Sequence, residues 1–150
     1  MAVRVRPLVL EETIDLRRHV LRGGAADAVV RYATDDDPST WHLGAVDEEG
    51  AVVATSTFFA EPCPLFPEKG GAVRLRSMAV APGRQGQGVG VLVLEAALER
   101  LRDQGATVVW ANARDSALGF YARCGFEVTE RSFVEAETGL AHTVVARSLR

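Results

Sequence analysis

The order of elements predicts an α/β protein: one mixed sheet of six to seven strands, with about four helices on its two faces, in a single domain over residues 1–150. Three observations carry this. Strand-like apolar runs recur along the chain. Helical apolar stripes interrupt them, so that the order reads β-α-(α)-β-β-β-α-β-α-β-β. A glycine-rich loop joins one strand to the longest amphipathic stretch.

Residues 3–9 alternate and predict the first strand, with Pro7 placing it near an edge or a bulge. Leu10, Ile14, Leu16, Val20 and Leu21 give residues 10–22 a rough helical stripe, stopped by Gly23 and Gly24. Residues 25–30 predict a short second helix, and Asp35, Asp36 and Asp37 before Pro38 a solvated turn. Residues 42–46 and 51–59 read as two strands of a hairpin that turns through residues 47–50. Residues 61–71 hold three prolines and two glycines and read as a loop; residues 72–80 form the next strand. In the helix that follows, Val91, Leu94, Leu98 and Leu101 share one stripe. Glu95, Glu99, Arg102 and Asp103 lie off it, and Gly105 ends it. Residues 107–110 are fully apolar, as in a buried strand. Asp115 or Ser116 caps a helix over 117–123 that Gly125 closes, and residues 126–134 and 142–149 read as the last two strands. There is no internal repeat, low-complexity tract or linker.

The bulk properties exclude several classes. The net charge is −3 and the basic residues are scattered, which argues against duplex nucleic acid as partner. No apolar stretch reaches the roughly 18 residues of a transmembrane helix, so no membrane partner is expected. The first residues carry charges with no apolar block behind them and do not read as a signal peptide. Cys63 and Cys124 make no disulfide framework, and a reduced, cytoplasmic setting follows. Neither cysteine has partners at metal-ligand spacing and the histidines are scattered, so no metal site is expected.

The chemistry is concentrated in residues 75–90. The strand ending Met78, Ala79, Val80 runs into Pro82 and Gly83, then Gln85, Gly86, Gln87, Gly88, Val89 and Gly90 open the long helix. Such a junction presents free main-chain N–H groups at the positive end of a helix, and glycines let an anion approach them. A phosphate-bearing cofactor is the expected ligand. The spacing is not the G-x-G-x-x-G of dinucleotide folds, nor a P-loop, because no Gly-Lys-Ser/Thr follows.

The pattern Gln85-x-x-Gly88-x-Gly90 resembles the pyrophosphate loop of the Gcn5-related N-acetyltransferases, the GNAT superfamily. A second segment is similar too: the family's A-x-x-F-Y-x-x-x-G-F stands here as Ala117, Phe120, Tyr121, Gly125 and Phe126. Together the two segments span residues 75–126, about a third of the chain. One departure is visible. Many relatives carry Asn where this chain has Arg114, and Asn112 stands two residues earlier, at the end of the strand.

The resemblance implies a mostly antiparallel sheet splayed at its fourth strand and acetyl-CoA, or a related acyl-CoA, as co-substrate. It implies transfer of the acyl group to an amine by direct attack in a ternary complex. The amides from Gln85 to Gly90 would hold the diphosphate, and the pantetheine arm would pair with the edge of Met78, Ala79 and Val80. A main-chain amide in that edge would serve as oxyanion donor. Asn112, Ala117, Phe120 and Tyr121 complete the implied donor site. Tyr121 takes the general-acid role, a phenol (about 10) and a thiol (about 8.5) being close in pKa; read alone, its spacing equally fits core packing beside Phe120 and Phe126. Gly119, mid-helix, suggests a close backbone approach.

Candidates for the base are His42, His142, Glu135 and Glu137. Residues 17–19 with Arg22 resemble an active-site rim in some relatives. Glu61 and the acidic residues 35–37 are candidates for attracting a cationic amine. The acceptor is left open among peptide N-termini, lysine, polyamines, aminoglycosides and amino acids, and exposed strand edges in such folds can pair two chains into a homodimer. Cys63 or Cys124 as an acyl carrier, a non-catalytic CoA-binding module of the same fold and a nucleotide-binding domain of another class are the rival readings.

Overall fold

The computed structural model describes residues 2–136 and 138–150. Seven strands form the sheet: β1 (Arg4–Leu8), β2 (Trp41–Val46), β3 (Val52–Ala60), β4 (Ala72–Val80), β5 (Val108–Arg114), β6 (Glu127–Val134) and β7 (Ala141–Ser148). They hydrogen-bond in the order β1-β2-β3-β4-β5-β7-β6. The expected mixed sheet is therefore present, and β1, which holds Pro7, is an edge strand. Three α-helical segments accompany it: α1 (Ile14–Leu16), α2 (Val89–Asp103) and α3 (Leu118–Arg123). A 3-10 turn (Leu10–Thr13) leads into α1 and a wide π turn (Arg17–Leu21) leaves it, so the expected helix over 10–22 forms as three tightening and loosening turns.

The chain folds as two compact units, Met1–Phe59 with Leu75–Glu99 and Ala60–Arg74 with Arg100–Arg150. In the first unit β2 and β3 are buried along almost their whole length. They pair antiparallel around a turn whose Gly50 has a φ of 83°. Gly44 on β2 admits no side chain: a Cβ there would stand 2.3 Å from Ala54 O and 2.4 Å from Leu8 Cδ1. This is a close-approach glycine that holds β1, β2 and β3 together. Helix α2 buries Val89, Val93, Leu94, Ala97, Leu98 and Leu101. Each such aliphatic side chain contributes about 1.5–3 kcal/mol on burial. Val91, expected on that stripe, is only half-buried, because the stripe runs through Val89 and Val93.

In the second unit β5 pairs antiparallel with β7 over its full length, and β7 with β6. That pairing extends β5 past the expected end at residue 110, which places Asn112 inside the strand, opposite Val144. β4 pairs parallel with β5 through Ala72, Val73 and Arg74, three residues of a nine-residue strand. Among the described residues this ladder ends at Arg74.

Three expectations fail. Residues 25–30 form turns, not a helix, so about four helices become three. Gly23 and Gly24 take left-handed φ values of 64° and 80°, and Arg18 Nη1 draws in the carbonyls of Ala25 and Ala26, at 3.1 and 2.9 Å. Six residues so held are too few to nucleate a helix. Neither Asp115 nor Ser116 caps α3: Arg114 precedes the turn, and Asp115 Oδ1 accepts instead from Thr143 Oγ1 at 2.7 Å. Asp35 is not solvated, as the site below explains.

Candidate functional site

In the first unit, β4 leads into the glycine loop. Ser77 has a φ of 56°, a left-handed backbone that costs a non-glycine residue about 1–2 kcal/mol. Met78, Ala79 and Val80 follow it, with Ala79 buried and its two neighbours half-buried. Ala81 N donates to Val53 O at 2.8 Å, and a 3-10 turn (Pro82–Arg84) begins the loop. Gly86 and Gly88 have φ values of 78° and 80°, and a Cβ at either would meet nothing within 4 Å. Both glycines are therefore required by backbone conformation, and the space over them is open. Gln85 Nε2 donates to Val80 O at 3.0 Å and Gln87 Nε2 to Gly83 O at 3.3 Å, so these side chains fold back on the loop. Among the described residues, no group accepts a hydrogen bond from the main-chain N–H of Gln85, Gly86, Gln87, Gly88, Val89, Gly90 or Val91. Leu92 N is the first to close a helical bond, to Gly88 O at 3.1 Å.

A second polar cluster in the same unit was not legible in advance. The Arg17 guanidinium is 1 % exposed and the Asp35 carboxylate 2 %. Nη1 reaches Asp35 Oδ2 and Nη2 reaches Oδ1, each at 2.8 Å, a bidentate pair. Nη1 also donates to Val30 O at 2.8 Å and Nη2 to Thr57 Oγ1 at 2.9 Å. Thr57 Oγ1 lies 2.8 Å from His42 Nδ1. Asp35 Oδ2 further accepts from Tyr32 N at 2.8 Å. Burial pushes the Asp35 carboxyl up, but the hydrogen bonds from Arg17 and Tyr32 outweigh it and hold the group below the usual carboxylate range. Burial, seconded by the Arg17 charge, lowers His42. The Tyr32 ring lies 3.5 Å from the Arg76 guanidinium and 5.5 Å from that of Arg17, and its hydroxyl accepts from Arg22 Nη2 at 2.9 Å. One signal in the chain does point here: Arg17 falls on the apolar stripe between Ile14 and Leu21, where a charge must find a buried partner.

The remaining candidates lie in the second unit. Asn112 is half-buried in β5, Ala117 ends a 3-10 turn (Asp115–Ala117) and Phe120 is half-buried on α3. Tyr121 is 5 % exposed and stands edge-on to Phe120 and Phe126, with ring centroids 5.1 and 5.3 Å away. Burial, then the nearby Cys124, pushes its phenol well above the ordinary 10.0. A Cβ on Gly119 would meet only Arg123 Nη1, at 3.3 Å, the mobile end of a long side chain, so packing within the helix does not demand glycine. Cys63 and Cys124 are both buried.

The base candidates separate. His42 belongs to the Arg17 network. His142, 4 % exposed, stacks on Phe133, donates from Nδ1 to Leu140 O at 3.0 Å, and holds Nε2 3.6 Å from Glu135 Oε2. Glu137 lies outside the described residues. Asp35 is consumed by Arg17, and Glu61 Oε2 accepts from Arg74 Nη1 at 3.0 Å. Among the described residues no group of three or more His, Cys, Asp or Glu comes together as a metal site.

Comparison with known proteins gives the family and the fold. Residues 10–126 match the model of the Acetyltransferase (GNAT) family. The chain belongs to that family of acetyltransferases. It is 30 % identical over 148 residues to the uncharacterized N-acetyltransferase YitI of Bacillus subtilis strain 168, covering 99 % of this chain and 97 % of that protein. Among solved structures, ElaA of Escherichia coli superposes with a TM-score of 0.77 at 16 % identity, covering 98 % of this chain and 100 % of the other. An aminoglycoside 6'-N-acetyltransferase complexed with coenzyme A superposes with a TM-score of 0.72 at 11 % identity, covering 98 % and 97 %. At these identities the two structures speak for the fold alone. No helix among the described residues is long and apolar enough to cross a membrane.

Proposed function

We propose that residues 1–150 act as one domain that transfers an acetyl group from acetyl-CoA to a primary amine of a small molecule or peptide, by direct attack within a ternary complex. The observation that carries this reading is the run of main-chain N–H groups from Gln85 to Val91 that donate to nothing among the described residues, at the first turn of a 15-residue helix. The positive end of a helix favours a nearby anion by about 0.3–1 kcal/mol, and each charge-assisted hydrogen bond adds about 1.5–3 kcal/mol. The donor set suits a diphosphate: successive main-chain amides, room over Gly86 and Gly88, and no carboxylate among residues 82–91. A pantetheine arm fits beside Met78, Ala79 and Val80, where Ser77 turns the strand; Val80 O keeps a second lone pair beyond its bond to Gln85.

In the reaction the amine nitrogen forms a C–N bond to the thioester carbonyl carbon. The C–S bond breaks, sulfur leaves with the electron pair and gains one proton, and the nitrogen sheds one. A main-chain amide in the Met78 to Val80 edge serves as oxyanion donor. Tyr121 serves the departing sulfur. Burial pushes its phenol up, and its hydroxyl offers the departing sulfur a hydrogen bond that strengthens as charge develops there. Asn112, Ala117 and Phe120 are donor contacts on the family resemblance. Tyr121→Phe should lower kcat about 10- to 100-fold, the worth of one hydrogen bond to a charged group. An unchanged kcat where chemistry is rate-limiting would remove Tyr121 from the mechanism.

A thiol-release assay with acetyl-CoA over a panel of amines tests the function. Release of CoA that depends on one class of amine is the expected result. Tight CoA binding with no turnover over the panel would instead make the chain a non-catalytic CoA-binding module.

A further inference from the structure

The glycine loop is fastened at its base to the β2–β3 hairpin, and one of the fastenings runs through a carboxylate of the turn. Asp47 Oδ1 accepts from Glu49 N at 2.9 Å and Ala51 N at 3.0 Å, which shapes the turn. The main chain closes the same turn: Asp47 N donates to Ala51 O at 3.0 Å and Gly50 N to Asp47 O at 3.1 Å. The other oxygen, Oδ2, faces Arg84 Nη2 at 3.4 Å. The Arg84 side chain is 12 % exposed and that of Asp47 16 %, so the pair is largely shielded from water. Arg84 Nη1 is buried and has no hydrogen-bond partner. Among the described residues Asp47 is the one carboxylate within ion-pair distance of Arg84.

Arg84 is the last residue of the turn that opens the loop, directly before Gln85. Its own amide donates to Ala81 O at 2.8 Å, and Ala81 N is tied to Val53 O on β3. The loop base thus has two anchors on the same hairpin, one of main chain and one of charge. The guanidinium is turned to Asp47, which makes it a brace behind the loop. A loop whose free amides are ordered before the ligand arrives does not lose conformational entropy on binding.

We infer that Asp47 is a positioning residue for the donor: through Arg84 it holds the loop from Gln85 to Gly90 in the shape that receives the diphosphate. This rests on the reading of that loop as the diphosphate site. Loss of Asp47 frees the loop and strands the Arg84 charge, so the penalty falls on the diphosphate part of the ligand. The pantetheine part, which the brace does not touch, is spared.

Calorimetric titration of the full-length protein with CoA and with pantetheine, which lacks the diphosphate, tests this. For the wild type CoA should bind much more tightly than pantetheine. Asp47→Asn should weaken CoA about tenfold and leave pantetheine unchanged, so that the ratio of the two affinities falls by that factor. Arg84→Met approaches the pair from the other side and should do the same. The double variant should be no worse than either single one, and Arg84→Lys should recover part of the loss. An affinity ratio that stays at the wild-type value in Asp47→Asn, whatever Arg84→Met does, or a loss shared equally by CoA and pantetheine, would overturn the inference. A wild-type protein that does not distinguish CoA from pantetheine would overturn the diphosphate reading itself, and the role of Asp47 with it.

Discussion

The glycine loop and the Arg17 network use polar groups in opposite ways within one folding unit. From Gln85 to Val91 the chain leaves its donors without internal acceptors and keeps bulk away from them. Around Arg17 two charges, its own and that of Asp35, are taken almost completely out of water, and besides each other they bond Val30 O, Thr57 and Tyr32 N, with His42 behind Thr57. The first arrangement invites a ligand. The second excludes one, and holds a stretch with little regular structure, residues 22–40, in a single conformation. Buried ion pairs are poor sources of net stability but strong enforcers of geometry once formed, because breaking one leaves an uncompensated charge. Donors that face open space thus mark function, whereas a buried bidentate ion pair, here with Arg17 Nε as its one unbonded nitrogen, marks architecture.

The largest effect should come from breaking the closed region. Arg17→Met or Asp35→Asn each leaves a buried partner unsatisfied and should cost about 3–5 kcal/mol in denaturant unfolding. A loss below about 1 kcal/mol would mean the pair is solvated and the contrast false. The open region should respond the other way. Gly88→Glu places a carboxylate where the diphosphate would sit and should weaken CoA at least about tenfold through charge repulsion. Because Gly88 has a φ of 80°, any side chain there also costs about 1–2 kcal/mol of stability, so Gly88→Ala gives the strain without the charge. If Gly88→Ala weakens CoA as much as Gly88→Glu, shape and not anion binding governs the loop.

Acid should sharpen the difference more gently. His42 has a folded pKa below its unfolded value of about 6.5. The unfolded state therefore binds more protons, and stability should begin to fall as pH drops through about 6.5. Asp35 is also depressed in the folded state. Its contribution is intact above the unfolded carboxylate value of about 4 and is lost as pH falls through the still lower folded value. Two successive losses on acidification are the expected pattern in unfolding midpoints; Asp35→Asn removes the second and, because the Asp35 charge raises His42, deepens the first.

Much of the fold was legible because its signals are local and periodic. Strand β4 shows its full length in sequence, and α2 announces itself by spacing and by Gly105. The loop was legible for the same reason: glycines at fixed offsets between a strand and a helix. What escaped depends on distant partners. Asp35 reads as a turn residue beside Asp36, Asp37 and Pro38, and only Arg17, 18 positions earlier, takes it inside. The helix expected over residues 25–30 loses to the same kind of cause, since Arg18 captures the carbonyls it would need. β5 outran its apolar core because β7 supplied a partner for every residue to Arg114. Tyr121 was readable as a position, but its displaced pKa is a property of burial that no motif carries.

The most direct measurement is a crystal of the protein grown or soaked with CoA. Density for the diphosphate within hydrogen-bond distance of the amides from Gln85 to Gly90 is the predicted result. A diphosphate ordered anywhere else on the chain would contradict the assignment on which the proposed acyl transfer stands.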